Sequence, residues 1–279
     1  MILFLIIRKK SVMVNMILLL ILSLSGCTLG NIGQMEIIIF KIGKADSILL
    51  STANKNVLID TGKEENGKEI IKYLEEHKID TLDYLIITHF DKDHVGGADT
   101  VLKNVEVLNV VTADYTRDSK QYKEYVAALK AKNQSATLLT ENLTFKLGSA
   151  EFLVYPPQRS HYSEDNDYSL VISVQHGENS FLFAGDAEET RLTELIEQGN
   201  LEHTFLKVPH HGLYTHKSAD FFELVNPQYA VITCSDKNSE EKVVAALEQL
   251  GTMVYLTKNG DIYIKSDGNE VTIKQEDIK

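Results

Sequence analysis

The chain of 279 residues has no tryptophan, four prolines, two cysteines and no excess of basic charge. Each shortage excludes something. Two cysteines, Cys27 and Cys234, cannot build a disulfide framework. Four prolines leave no Pro-rich linker, and no Gly- or Ser-rich stretch divides the chain either. Against 40 acidic residues there are 28 basic ones, a formal net charge of -12. Such a chain is not pre-built for non-specific binding to a polyanion, so a nucleic-acid substrate would need a local basic channel or bound metals. Without tryptophan, the aromatic candidates for stacking on a base are tyrosines beside loops: Tyr115, Tyr162, Tyr168 and Tyr214. Long apolar runs are also missing. Ile17–Leu22 is too short to cross a bilayer.

That short run has a different meaning in its setting. Arg8-Lys9-Lys10 precedes it, and Leu24-Ser25-Gly26-Cys27 follows. A basic stretch, an apolar stretch and small residues in that order form a secretory signal. The last four residues resemble a bacterial lipobox. We expect residues 1–26 to be a lipoprotein signal peptide, Cys27 to be lipidated, 27–33 to be a tether, and the protein to work outside the cytoplasm, anchored to the cell membrane. Losing the three basic residues leaves 25 basic against 40 acidic, about -15 for the mature chain.

From 34 to 279 we expect one domain. Met35–Phe40, Ser47–Ser51 and Asn56–Asp60 read as an antiparallel meander of strands. Lys68–His77 reads as a helix with Ile70, Ile71 and Leu74 on its buried side. Leu82–Ile87 is a buried strand, Val105–Val111 another, Lys120–Lys132 a polar helix, and Leu143–Leu147 with Glu151–Tyr155 a hairpin about Gly148. The second half repeats the pattern. Strands fall at 169–174, 180–184, 204–208, 229–234, 253–256, 262–265 and 271–273, and helices at 190–198, 218–225 and 240–250. Strands with interspersed helices, twice over, predict a mixed α/β (α+β) fold of four layers, αββα, in which two sheets pack face to face between helices.

Four strands end in residues of metal-ligand type. They deliver Asp60-Thr61-Gly62, His89-Phe90-Asp91-Lys92-Asp93-His94-Val95-Gly96-Gly97, Gly185-Asp186, and Pro209-His210-His211-Gly212. One strand-end Asp or His is usually a cap or a turn residue; four such ends in one chain point to a metal centre. With Phe40-Lys41-Ile42-Gly43-Lys44-Ala45-Asp46-Ser47 and Asn166-Asp167-Tyr168-Ser169-Leu170-Val171, the set resembles the metallo-β-lactamase fold superfamily. Within it, the resemblance is to the extracytoplasmic hydrolase domain of ComEC-type competence proteins, which carries Asp at the second ligand position of the central motif.

The resemblance implies two divalent metal ions. His89 and Asp91 would hold one, Asp93 and His94 the other, and Asp186 would bridge them. One of His210 and His211 completes the second site; we take His211 as the ligand and His210 as a substrate-facing proton donor. Asp93 would also hold or deprotonate the attacking water. Asp60 would brace the ligand loop, and Asn166 and Ser169 would support the site or face substrate. An oxygen-rich first site brings Mn²⁺ in beside Zn²⁺. Two metals suit hydrolysis of a phosphodiester, single-stranded DNA being one candidate substrate. The alternatives are a hydrolase of another ester or amide, a β-lactam included, and a surface-binding lipoprotein without catalysis. Nothing in the sequence names a protein partner.

Two departures from the family pattern stand out. Asn238-Ser239-Glu240-Glu241 replaces the usual His-Pro pair, and the early Asp-Val-Gly-Gln-Gly-Asp becomes Lys41-Ile42-Gly43-Lys44-Ala45-Asp46. The remaining histidines, His77, His161, His176, His203 and His216, are expected in solvent.

Overall fold

The computed structural model describes residues 33–237 and 240–276. The expected signal peptide, Cys27 and nearly all of the tether lie outside the described residues, as do Asn238 and Ser239.

Two sheets form the centre. The first runs β15 (Val271–Glu276), β14 (Asp261–Ser266), β1 (Met35–Ile39), β2 (Ile48–Thr52), β3 (Lys55–Ile59), β4 (Thr81–Ile87), β5 (Glu106–Ala113) and β6 (Thr137–Leu139). The second runs β13 (Met253–Leu256), β12 (Tyr229–Ile232), β11 (Phe205–Lys207), β10 (Asn179–Phe183), β9 (Val171–His176), β8 (Ala150–Tyr155) and β7 (Leu143–Leu147). Helices α1 (Asn66–Glu76), α2 (Ala98–Asn104) and α3 (Lys120–Ala131) belong to the first half. Helices α4 (Glu189–Gln198), α5 (Ser218–Val225) and α6 (Glu241–Gln249) belong to the second.

Side-chain alternation builds the layers. Ile37, Ile39, Leu50, Val57, Ile59, Ile86 and Val111 face Phe152, Ile172, Phe181, Phe183 and Phe205 of the other sheet. Residues out of phase with these, such as Ile38, Leu49, Leu58, Leu85 and Ile87, pack on Ile70 and Leu74 of α1, Val101 of α2 and Tyr125 of α3. On the far side, Leu182, Leu206 and Ile232 meet Leu195, Phe221, Phe222 and Leu247 from α4, α5 and α6. Each buried Phe, Leu or Ile contributes roughly 1.5–3 kcal/mol. The four-layer αββα expectation holds.

Strand direction places the site. β3, β4 and β5 run parallel, and so do β10, β11 and β12. The register Phe183↔Lys207↔Val231 brings the C-terminal ends of the latter three level. Central parallel strands covered on both faces read as near-continuous apolar runs, as β4 does. Two short elements were not expected from the sequence, α2 and β6. The first is only seven residues and the second only three, too short to show a period. The histidine expectation fails at two positions. His176 and His203 are buried rather than in solvent. Hydroxyls and carbonyls satisfy them: Ser149 and Ser266 each lie 2.8 Å from His176, and Ser173 Oγ and the Leu201 carbonyl lie 2.7 and 2.8 Å from His203.

Candidate metal centre

All four segments with candidate ligands leave the C-terminal ends of β3, β4, β10 and β11. The loop after β4 folds back tightly because of its two glycines. A Cβ on Gly96 would lie 2.3 Å from the Lys92 carbonyl oxygen, and one on Gly97 2.5 Å from the Thr61 carbonyl oxygen. No side chain fits either approach. Asp60, His210 and His211 adopt left-handed backbone conformations, with φ of 58°, 44° and 53°. Each costs on the order of 1–2 kcal/mol for a residue with a Cβ. Such strain collects where geometry serves function.

His89, His94 and His211, the buried histidines of the site, share one design. His94 Nδ1 donates to Asp60 Oδ2 at 2.8 Å, and the same carboxylate accepts the Thr88 backbone N–H at 2.8 Å and the Thr88 hydroxyl at 2.7 Å. His211 Nδ1 donates to the Thr233 carbonyl at 3.1 Å, with the Thr233 hydroxyl at 3.0 Å. His89 Nδ1 lies 3.1 Å from Thr88 Oγ1 and 3.5 Å from Ser169 Oγ. With each Nδ1 engaged from behind, the three Nε2 atoms turn toward Asp186. His94 Nε2 lies 3.2 Å and His211 Nε2 3.1 Å from Asp186 Oδ2. Asp93 Oδ2 stands 3.7 Å from His211 Nε2. Ligand atoms of His89, His94 and Asp186 lie within 4.8 Å of one another, and so do those of Asp93, His94 and His211.

His89 Nε2, His94 Nε2, His211 Nε2 and Asp186 Oδ1 are buried and make no hydrogen bond. Buried polar atoms are normally satisfied by hydrogen bonds, and donors that instead crowd one carboxylate fit a metal centre whose outer partners fix the imidazole tautomers. Divalent ions fit this donor set of imidazole nitrogens and carboxylate oxygens.

Electrostatics agree with that use. Burial, helped by the neighbouring His94, holds His89 well below the ordinary histidine range, so its imidazole is neutral, as a metal ligand requires. Burial would push Asp186 up, but His211 and His94 overcome it and hold the carboxyl well below its usual range. His94 is the exception. Burial favours its neutral form, yet Asp186 and Asp60 hold it well above 6.5.

The remaining expected residues fall at the rim or behind. Asp91 is half-buried, with Oδ1 4.0 Å from His89 Nε2 and paired with Arg117 Nη1. His210 Nδ1 lies 2.9 Å from Glu188 Oε1, and Asn166 Nδ2 lies 2.7 Å from the same oxygen and 3.5 Å from His210 Nε2. Ser169 Oγ accepts the Asp186 backbone N–H at 3.1 Å. Tyr162 and Tyr168 are core residues, and Tyr115 stacks on Tyr168 with centroids 4.0 Å apart.

Sequence reasoning gave no role to Asp46, Lys207, Thr233, Glu188 or Arg117. Asp46 sits inside the motif Phe40–Ser47, Lys207 two residues before Pro209, and Glu188 two residues after Asp186. Arg117 and Thr233 carried no sequence signal.

The Metallo-beta-lactamase superfamily model matches residues 42–235, and the chain belongs to that superfamily. Among relatives, ComE operon protein 3 of Bacillus subtilis is 25% identical over 274 residues, covering 85% of this chain and 35% of that protein. Recombination protein 2 of Haemophilus influenzae is 29% identical over 197 residues, covering 69% of this chain and 23% of that protein. The chain thus spans about a quarter to a third of the length of these relatives. The match supports the resemblance to ComEC-type competence proteins. The metallo-beta-lactamase fold protein YhfI from Bacillus subtilis aligns with a TM-score of 0.58 at 8% identity, covering 86% of this chain and 100% of that one, a likeness of fold.

Proposed function

We propose that the protein is an extracytoplasmic, metal-dependent phosphodiesterase, tethered to the cell membrane through lipidated Cys27, with single-stranded DNA as a candidate substrate. The observation that carries the hydrolase reading is the convergence of the buried Nε2 atoms of His89, His94 and His211 on Asp186. Asp91, beside His89, adds the oxygen-rich character that favours Mn²⁺ alongside Zn²⁺. Two ions held there by His89, Asp91, Asp93, His94, Asp186 and His211 would supply an acidified water and neutralise phosphoryl charge.

The chain's own groups do the rest. Asp93, half-buried at the inner wall, accepts the proton of the attacking water. Glu188 fixes the proton of His210 on Nδ1. A second proton on Nε2, its charge balanced by Glu188, would pass to the leaving oxygen, work that suits a carboxylate–imidazole pair. Asn166 holds Glu188 in place. A membrane tether would keep the cleft near an incoming strand or a lipid or wall phosphate.

The test is a panel assay with Mn²⁺ and with Zn²⁺, using single-stranded DNA, bis-p-nitrophenyl phosphate, phosphorylcholine esters and a chromogenic cephalosporin. Cleavage of the first two is expected. Cleavage of the cephalosporin alone would overturn the phosphodiesterase reading.

A further inference from the structure

Behind the histidines lies a charged layer that the proposed chemistry does not use. Lys207, at the end of β11, is fully buried. Its Nζ pairs with Asp46 Oδ2, donates to the Gly185 carbonyl at 3.1 Å and lies 3.6 Å from Asp186 Oδ1. Asp46 is equally buried, and its Oδ1 accepts the Thr233 hydroxyl at 2.6 Å. The two oxygens of Asp186 are therefore inequivalent. Oδ1 faces an ammonium, while Oδ2 faces the Nε2 atoms of both His94 and His211.

A carboxylate torsion has a broad, roughly two-fold profile, so Asp186 alone could present either oxygen, or both to one ion. A fixed cation on one side removes that freedom. A buried ion pair seldom stabilises a fold more than apolar residues of the same volume would, so stability alone does not account for one here. We propose that Lys207 is a positioning residue that turns Asp186 so that a single oxygen, Oδ2, serves both metal sites. Asp46 and the Gly185 carbonyl hold the other sides of the ammonium. This inference rests on the two-metal reading above.

The test is the electron paramagnetic resonance spectrum of the full chain carrying two equivalents of Mn²⁺. The wild type is expected to show an exchange-coupled pair. Lys207→Met is expected to bind the same total Mn²⁺ with a several-fold larger six-line signal from isolated ions. Because that variant leaves Asp46 unpaired and can unfold, Asp46→Asn/Lys207→Met, which removes both charges, is measured beside it with the same expectation. Asp46→Asn alone keeps the ammonium beside Asp186 and is expected to stay coupled. Coupling retained without Lys207, or lost equally in Asp46→Asn, overturns the positioning role while leaving the two-metal reading intact. An uncoupled wild type overturns both.

Discussion

His94 and Asp60 meet at 2.8 Å, Nδ1 to Oδ2, with both side chains wholly buried and Asp60 in a left-handed backbone conformation. The carboxylate holds the ring from behind and the Thr88 backbone at the same time. Asp60→Asn keeps the shape but not the charge. Removing an outer partner of this kind typically lowers metal affinity by about 10–100-fold. We expect a loss of that size, read by competition with a chromogenic chelator, with circular dichroism unchanged. Wild-type affinity in the variant would remove Asp60 from the metal centre.

Asp93 is only half-buried, and the fold does not lean on it. Asp93→Ala is expected to fold, to lose one metal equivalent and to lose hydrolysis. Metal analysis of the purified variant checks the first loss and turnover of bis-p-nitrophenyl phosphate the second. Full activity would remove Asp93 from the mechanism.

Arg117 bridges two carboxylates, touching Asp91 with one Nη and Asp165 Oδ2 at 3.1 Å with the other. A guanidinium on Asp91 competes with a metal for that oxygen. A partly exposed pair contributes about 1 kcal/mol or less. Arg117→Gln should therefore tighten the weaker metal equivalent by no more than several-fold, measured by isothermal titration. Weaker binding in the variant would mean that Arg117 braces the site instead.

Glu188→Gln removes the charge that faces His210 Nδ1 while keeping an acceptor. Proton transfer by a positioned side chain contributes about 10²–10⁴-fold. A drop in kcat toward the lower end of that range is expected, with metal content unchanged. A change in KM alone would place Glu188 in substrate binding.

Burial opposes the charge on His94, but Asp186 and Asp60 raise its folded pKa well above 6.5. The stability its protonated form adds to the metal-free protein is fully present below 6.5 and is lost as pH rises through the folded value. A ligating imidazole must give up that proton. Metal affinity should therefore climb with pH across the same window. At pH 7, binding should release about one proton, seen as a dependence of the binding heat on the buffer's ionisation enthalpy. Identical heats in all buffers would contradict it.

Much of this was legible in the sequence. Strand ends carrying Asp60, His89–His94, Asp186 and His210–His211 marked the fold and the candidate donors that it gathers, because a buried parallel strand leaves a strong apolar run and a metal ligand has few chemical substitutes. What stayed hidden depends on distance in three dimensions. Arg117 reaches Asp91 from 26 positions away, and Thr233 meets Asp46 across 187. Neither contact leaves a period or a spacing to read. His176 and His203 are polar side chains, which the sequence alone assigns to solvent. In the fold, serine hydroxyls and a backbone carbonyl complete their hydrogen bonds inside the protein. Their local sequence says nothing of those partners.

The pairing of β1 with both β2 and β14 has a consequence for synthesis of the chain. Met35–Ile39 emerges early, yet one of its hydrogen-bonded flanks stays open until Asp261–Ser266 has been made. Until then an apolar edge strand is free to pair with another chain. Closure across more than 200 positions is slow, because a distant contact must first overcome loop entropy. A fragment ending before Asp261 can hold every proposed metal ligand and still aggregate.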